Sequence, residues 1–217
     1  MNPSDWTLDN AIASWGCAVC VLTHQDTFSF LAKQVYAWST DEAAGLSLAA
    51  QGGFCTQHAA DVLDIASGVG VASIYDRFLR EALVVLDEWA KQEKRDPVPL
   101  PNSRLLHPDC PVCVCRRESE SRRITELLSR LEEAGFKRCY ESSRGLCLPH
   151  MRLALEKAES GEMRMFLLTA QLAQVQRLQA DLASSKRKRQ AVPQEVMTPR
   201  ERTAWLTVVE KFAGKPC

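Results

Sequence analysis

"GGFCTQHAADVL" occupies residues 52–63, and "RGLCLPHMRLAL" occupies residues 144–155. Each sets a glycine two residues before a cysteine, a histidine three residues after that cysteine, and a helical apolar pattern behind both. A C-x-x-H step on a helix brings residues i and i+3 to one face, so Cys55 with His58, and Cys147 with His150, can aim a sulfur and an imidazole nitrogen at one point. The flanking pattern is helical rather than alternating, and this reading extends along the chain.

Ile74, Phe78, Leu79, Leu83, Leu86 and Trp89 recur at threes and fours, as do Leu168, Leu172, Val175, Leu178 and Leu182. Such stripes are the apolar faces of amphipathic helices and are expected to be core, with no cofactor role. Shorter helical patterns run through residues 6–15, 28–35 and 124–131, while β-branched alternation bounded by hairpin turns is missing. The expected fold class is all-α. "TPRE" at residues 198–201 reads as a capping box with proline at the first helical position, opening a last helix whose Trp205, Val209 and Phe212 are expected to dock on the core.

The motifs recur at a fixed distance. A shift of 93 residues lays "CAVCV" at Cys17 on "CPVCV" at Cys110, and a shift of 92 lays Cys55 and His58 on Cys147 and His150. Gly53 then matches Gly145, Leu63 matches Leu155, and "ASG" at Ala66 matches "AESG" at Ala158, each leading into a long amphipathic stretch. This is a duplication with one residue deleted.

Each repeat therefore carries a C-x-x-C clip and, after 34 or 33 intervening residues, a C-x-x-H clip. Two bidentate clips close a tetrahedron, and the sets expected from chain order are Cys17, Cys20, Cys55 and His58 in one repeat and Cys110, Cys113, Cys147 and His150 in the other. An isolated pair would read as small buried apolar cysteines; two matched sets point to metal. His24 and His107 also lie near cysteines, but their counterparts under the repeat are Arg117 and Ser14, so the repeat selects His58 and His150. Cys115, Cys139 and Cys217 have no counterpart and are expected to be spare thiols.

Domain boundaries follow from the same alignment. Pro97, Pro99, Pro101 and Pro108 punctuate residues 97–109, which reads as a linker between a first repeat at 1–96 and a second at 110–217 that includes the terminal helix. The expected architecture is two pseudosymmetric helical repeats, each stapled by a Cys3His site.

Composition narrows the function classes. The 217 residues include 27 Lys plus Arg against 27 Asp plus Glu, so no basic field exists to hold nucleic acid or an anionic membrane. "SSKRKRQ" at residues 184–190 reads as the dipole-compensating end of a helix, and "RRESESRR" at 116–123 as an exposed, ion-paired face. The N-terminal stretch lacks the pattern of a secretory signal, and no apolar run is long enough to span a bilayer, so a cytoplasmic protein is expected. In that compartment stable disulfides are rare, and nine cysteines, an odd number, point to metal ligation.

Sulfur-rich sets of this kind serve structural zinc and iron–sulfur clusters alike. Structural zinc is the expected cofactor, because the dense cysteine run of bacterial ferredoxins is absent; an iron–sulfur protein in electron transfer, redox sensing or cluster delivery is the alternative. A thiol oxidoreductase using Cys17 and Cys20 ranks lower, since the βαβ context is missing. A four-ligand set leaves no open zinc position for hydrolysis, and G-x-S-x-G, G-x-x-x-x-G-K-[ST] and G-x-G-x-x-G are absent, so nothing nominates an enzymatic reaction. A protein partner is the expected one.

From "WGCAVC" through "GGFCTQH", "CPVCVCRR" and "GLCLPHM" to "TAWLTVVEKFAGKP", the chain resembles an uncharacterised bacterial family, a domain of unknown function built around paired C-P-x-C and G-[FL]-C-x-x-H motifs. The first clip departs from the pattern with Ala18 in place of proline. The resemblance implies a helical, metal-ligating, two-repeat protein and no reaction.

Overall fold

The computed structural model describes residues 6–14, 16–93, 110–191 and 195–214, and among them all regular structure is α-helical. Ten helices follow one another among the described residues: α1 (Leu8–Ile12), α2 (Ala18–Thr40), α3 (Glu42–Ala50), α4 (Thr56–Ile65), α5 (Gly68–Glu93), α6 (Pro111–Arg130), α7 (Ala134–Ser142), α8 (Leu148–Lys157), α9 (Gly161–Gln190) and α10 (Pro199–Ala213). The starts of α2 and α6 lie 93 residues apart, α3 and α7 lie 92 apart, α4 and α8 lie 92 apart, and α5 and α9 start 93 apart. These are the offsets at which the motifs recur.

Local chemistry sets the helix starts. Thr7, Asp41 and Ser160 cap α1, α3 and α9 by accepting from backbone N–H groups of Asn10, Ala44 and Met163, each satisfying one of the donors a helix start leaves open. The capping box expected at α10 is present: Thr198 accepts from the Glu201 amide at 3.2 Å, and the Glu201 carboxylate accepts from the Thr198 amide at 2.6 Å.

Contacts divide the chain into two units, and the division differs from the sequential halves 1–96 and 110–217. One unit combines Met1–Gln25 with Ser119–Cys217, and the other is Asp26–Glu118. The chain passes between them inside α2 and again inside α6. The proline-rich segment 97–109, expected as the linker, lies outside the described residues.

The first unit has a core of Leu8, Val19 and Leu22 from its N-terminal part with Ile124, Leu127, Tyr140, Met151 and Leu167 from its C-terminal part. The second has its own, built on Leu31, Trp38, Leu48, Val62, Ile74 and Val112, with Phe54 wedged edge-on against Trp38 at 5.3 Å between ring centroids. Arg77 is buried beside this core, donating to the carbonyls of Trp38 and Ser73 and pairing with Glu42 at 2.8 Å.

Two apolar faces behave differently from expectation. Ile74 is buried, but Leu79, Leu83 and Leu86 further along α5 are more than half exposed, as is Leu172 on α9. Trp205, Val209 and Phe212 of α10 are likewise exposed, at 53%, 61% and 67%. Helix α10 docks instead through Glu201, Ala204 and Lys211, its polar side chains meeting buried partners: Glu201 accepts from Ser184 and Lys188 of α9, and Lys211 donates to two backbone carbonyls before α8. Good hydrogen-bond partners decide which face goes in, and the apolar face is left outside.

Candidate metal centres

All four clips stand on the first turn of a helix. Cys17, Cys55, Cys110 and Cys147 each immediately precede α2, α4, α6 and α8, and their carbonyls accept the first backbone hydrogen bonds from Val21, Ala59, Val114 and Met151. At α4 and α8 the cysteine occupies the N-cap position in an extended conformation, and its side chain makes no cap hydrogen bond. The sulfur is thereby available to a ligand, at the positive end of the helix dipole where a thiolate is favoured.

The glycine two residues earlier has a definite job. Gly53 and Gly145 hold φ at +82° and +69°, in the left-handed region, and a Cβ there would stand 2.7 Å from the Phe78 ring or 1.8 Å from Gln174 Oε1. The chain turns sharply enough at these points to set the cysteine at the head of the following helix while packing flush against α5 or α9.

All eight expected donors gather into two groups of four, with every ligand atom within 4.8 Å of the others in its group. The grouping crosses the repeats. Cys17 and Cys20 meet Cys147 and His150; Cys55 and His58 meet Cys110 and Cys113. The sets expected within each repeat, Cys17/Cys20/Cys55/His58 and Cys110/Cys113/Cys147/His150, are thus corrected: the C-x-x-C clip of each repeat serves the C-x-x-H clip of the other. The reason is the path of the chain, which carries α2 and α6 from one unit into the other and so delivers each C-x-x-C clip to the opposite partner.

In the first centre, which lies within the first unit, His150 Nδ1 stands 3.4 Å from Cys17 Sγ, 3.3 Å from Cys20 Sγ and 3.2 Å from Cys147 Sγ, and Cys20 and Cys147 sulfurs are 3.7 Å apart. In the second, within the other unit, His58 Nδ1 stands 3.2 Å from Cys55 Sγ, 3.4 Å from Cys110 Sγ and 3.3 Å from Cys113 Sγ, with Cys55 and Cys113 sulfurs 3.6 Å apart. Both histidines present the same nitrogen, Nδ1. All four side chains of the first centre are buried, whereas Cys55 and Cys113 of the second are partly exposed.

Electrostatics reflect the crowding of acidic thiols. At Cys17 burial opposes ionisation, but hydrogen bonds with Cys147, Cys20 and His150 outweigh it and hold the thiol well below its ordinary range. Its neighbour Cys20 is pushed up by Cys147, Cys17 and burial. In the second centre Cys55 is lowered by the His58 amide and by Cys113 and Cys110 against the effect of burial, while burial and then Cys55 push Cys113 up to about 12. Thiolates this close cannot all ionise without a compensating cation, and a divalent ion among them would supply it.

Sequence reasoning missed the groups behind the ligands. Glu120 Oε1 lies 3.5 Å from His150 Nε2, and Lys211 Nζ, buried, donates at 2.8 Å to the carbonyls of Arg144 and Leu146, next to Cys147. The repeat alignment sets Glu120 against Thr27, a mismatch of the kind that removes His24 from the ligand sets, so the repeat does not select it. Lys211 has no signal either, since it lies on a helix whose apolar pattern predicts the opposite face as the docking face.

Of the other cysteines, Cys139 is exposed and Cys115 partly buried, and neither joins a centre; Cys217 lies outside the described residues. His24 is exposed and His107 lies outside the described residues. Among the described residues no helix is long and apolar enough to cross a membrane. Comparison of the chain with protein-family models, curated proteins and solved structures finds no match.

Proposed function

We propose that the two Cys3His centres each hold one structural zinc ion and that the protein acts as a helical scaffold for a protein partner. The observation that carries the zinc reading is the spacing of the donors. Zn–S bonds of about 2.3 Å and Zn–N bonds of about 2.0 Å, arranged tetrahedrally, place sulfurs about 3.8 Å from one another and about 3.5 Å from the nitrogen. Contacts of 3.6–3.7 Å between sulfurs and 3.2–3.4 Å from sulfur to Nδ1 fit that tetrahedron.

A four-iron cluster would ask each donor to bind a different iron, holding the donors apart around the body of the cluster, and the convergence supports the single ion instead. Charge supports it too. Three thiolates, one neutral imidazole and a divalent ion sum to one negative charge, which two helix N-termini of roughly +0.5 each offset at either centre. With every position of the tetrahedron filled by protein, the ion has a holding role rather than a hydrolytic one.

The scaffold part of the proposal rests on the apolar side chains left outside, Leu79, Leu83 and Leu86 on α5 and Trp205, Val209 and Phe212 on α10. The cytoplasm, where cysteines stay reduced and able to bind zinc, is the compartment this reading implies.

Metal analysis with an optical spectrum, on protein purified without oxygen, tests the proposal. About two zinc per chain and no visible absorbance are expected from two closed tetrahedral sites. Iron with acid-labile sulfide and a brown colour would overturn it.

A further inference from the structure

The two centres share a ligand set but not their surroundings. In the first, the imidazole of His150 has a carboxylate behind it: Glu120 Oε1 is 3.5 Å from Nε2, and the Glu120 side chain is only 17% exposed. A carboxylate on the far nitrogen fixes ring orientation and strengthens the imidazole as a donor. The same centre has a buried ammonium, Lys211, hydrogen-bonded to the two carbonyls that flank Gly145 just before Cys147, beside the buried Cys17 and Cys147. Its charge adds to that of the two helix N-termini in opposing the negative charge of three thiolates, with the Glu210 carboxylate on the same wall acting against it. Gly214, at the end of the same helix, packs close enough that a Cβ there would lie 3.7 Å from both Cys20 and Cys147 sulfurs.

Among the described residues the second centre lacks each of these supports. His58 is 2% exposed, yet its Nε2 is buried with no hydrogen-bond partner among the described residues. The position that aligns with Glu120 is Thr27, shorter and uncharged. Charged neighbours of His58 are Asp61 on its own helix and Arg116 on α6, with opposite effects on it. No lysine is buried among the described residues of this unit, and its buried cation, Arg77, is committed to Glu42 and to the carbonyls of Trp38 and Ser73. Two of the four ligands, Cys55 and Cys113, reach solvent.

We infer that the centres divide the work of holding metal: Cys17, Cys20, Cys147 and His150 retain their ion, while Cys55, His58, Cys110 and Cys113 form an exchangeable site for a thiophilic divalent cation, making residues 26–118 the metal-responsive unit. This rests on the metal-binding reading above. Glu120 and Lys211 act as positioning and charge-balancing residues, touching no metal themselves. Losing a partner of the Glu120 kind costs roughly 10–100-fold in metal affinity, so the two sites differ by about that factor or more.

The test loads the full chain with zinc, adds a competing chelator in steps, alkylates released thiols at each step and identifies them by peptide mass spectrometry. Cys55, Cys110 and Cys113 are expected to become reactive at about 10-fold or more lower chelator than Cys17, Cys20 and Cys147. Release of both sets together, or of the Cys17 set first, overturns the inference and leaves metal binding standing. No zinc-dependent protection of either set overturns metal binding and the inference with it.

Two variants separate support from mere packing. Glu120→Ala is expected to move release of the Cys17 set about 10-fold toward that of the other, and Glu120→Gln, which keeps an acceptor for Nε2–H, to recover part of the difference. Lys211→Met is expected to shift the same set in the same direction, with the Cys55 set unmoved. A shift of the Cys55 set in either variant, or no shift of the Cys17 set in both, counts against the assignment.

Discussion

His150 Nδ1 lies 3.3 Å from Cys20 Sγ, although 130 residues separate them in the chain, while Cys55, the nearer C-x-x-H partner of Cys20 in sequence, belongs to the other centre. The exchange ties the beginning of the chain to its second half, and it makes the energetic coupling between ligands a direct report on the fold.

That coupling gives the first prediction. Cys17→Ser and His150→Ala are expected to be strongly non-additive, since the first substitution already dismantles the centre that the second would damage; Cys17→Ser and Cys55→Ser are expected to add. Either ligand substitution should weaken zinc at its own centre at least about 100-fold, near 3 kcal/mol. Hydrogen exchange on the double and single variants reads both, with Cys17→Ser lowering protection in α8 and Cys55→Ser lowering it at the start of α6.

Gly145 offers a second test. A Cβ there meets Gln174, whose Nε2 donates to the Tyr140 carbonyl at 2.7 Å, and the backbone sits at φ +69°. Gly145→Ala is expected to cost about 2–3 kcal/mol, from the left-handed backbone and the displaced buried hydrogen bond together. Denaturant unfolding of the zinc-loaded protein measures it, and a cost below about 0.5 kcal/mol would contradict the packing described.

Arg77 supports the other unit. It donates to two carbonyls and to Glu42, and Gly45 leaves room for it: a Cβ at that position would stand 2.6 Å from Arg77 Cδ. Arg77→Met keeps much of the aliphatic stem but strands the carbonyl of Trp38, so a loss of about 1–3 kcal/mol is expected. Gly45→Ala should lower the thermal midpoint in the same direction by crowding the guanidinium stem.

Acid stability supplies the fourth. Hydrogen bonds from Ser184, then Lys188 and the Thr198 amide hold the Glu201 carboxyl down to about 2. A folded pKa below the unfolded value of about 4.3 contributes stability above that unfolded value, lost progressively as pH falls from there toward 2. Glu201→Gln is therefore expected to flatten the acid limb of the stability curve of the α9–α10 pair. Parallel curves for the two proteins between pH 5 and pH 2, roughly the window set by those two values, would show that the carboxylate is not held by these donors.

The sequence carried the ligands and the helices but not their pairing. Periodicity at Ile74 and Phe78, the cap at Thr198 and the two C-x-x-H steps are local signals, each decided within one or two helical turns. Which C-x-x-C clip meets which C-x-x-H clip is decided by chain path, and because the repeats carry the same residue types, both pairings satisfy the same tetrahedron. The inverted docking of α10 escaped for a related reason. An amphipathic pattern reveals two faces, yet Glu201 and Lys211 go inward because Lys188, Ser184 and the carbonyls of Arg144 and Leu146 wait for them, and those partners are distant in sequence.

Synthesis proceeds from the N-terminus, and this gives the crossed ligation a temporal consequence. Once residue 58 has left the ribosome, Cys17, Cys20, Cys55 and His58 are all present, a complete Cys3His complement with neither native partner yet made. A metal ion captured then would join the wrong pair and would have to be surrendered before Cys110, Cys113, Cys147 and His150 could take their places. With metal bound, the crossed ligation therefore asks that any early capture be reversible, and it makes the timing of metal supply relative to translation a variable of folding.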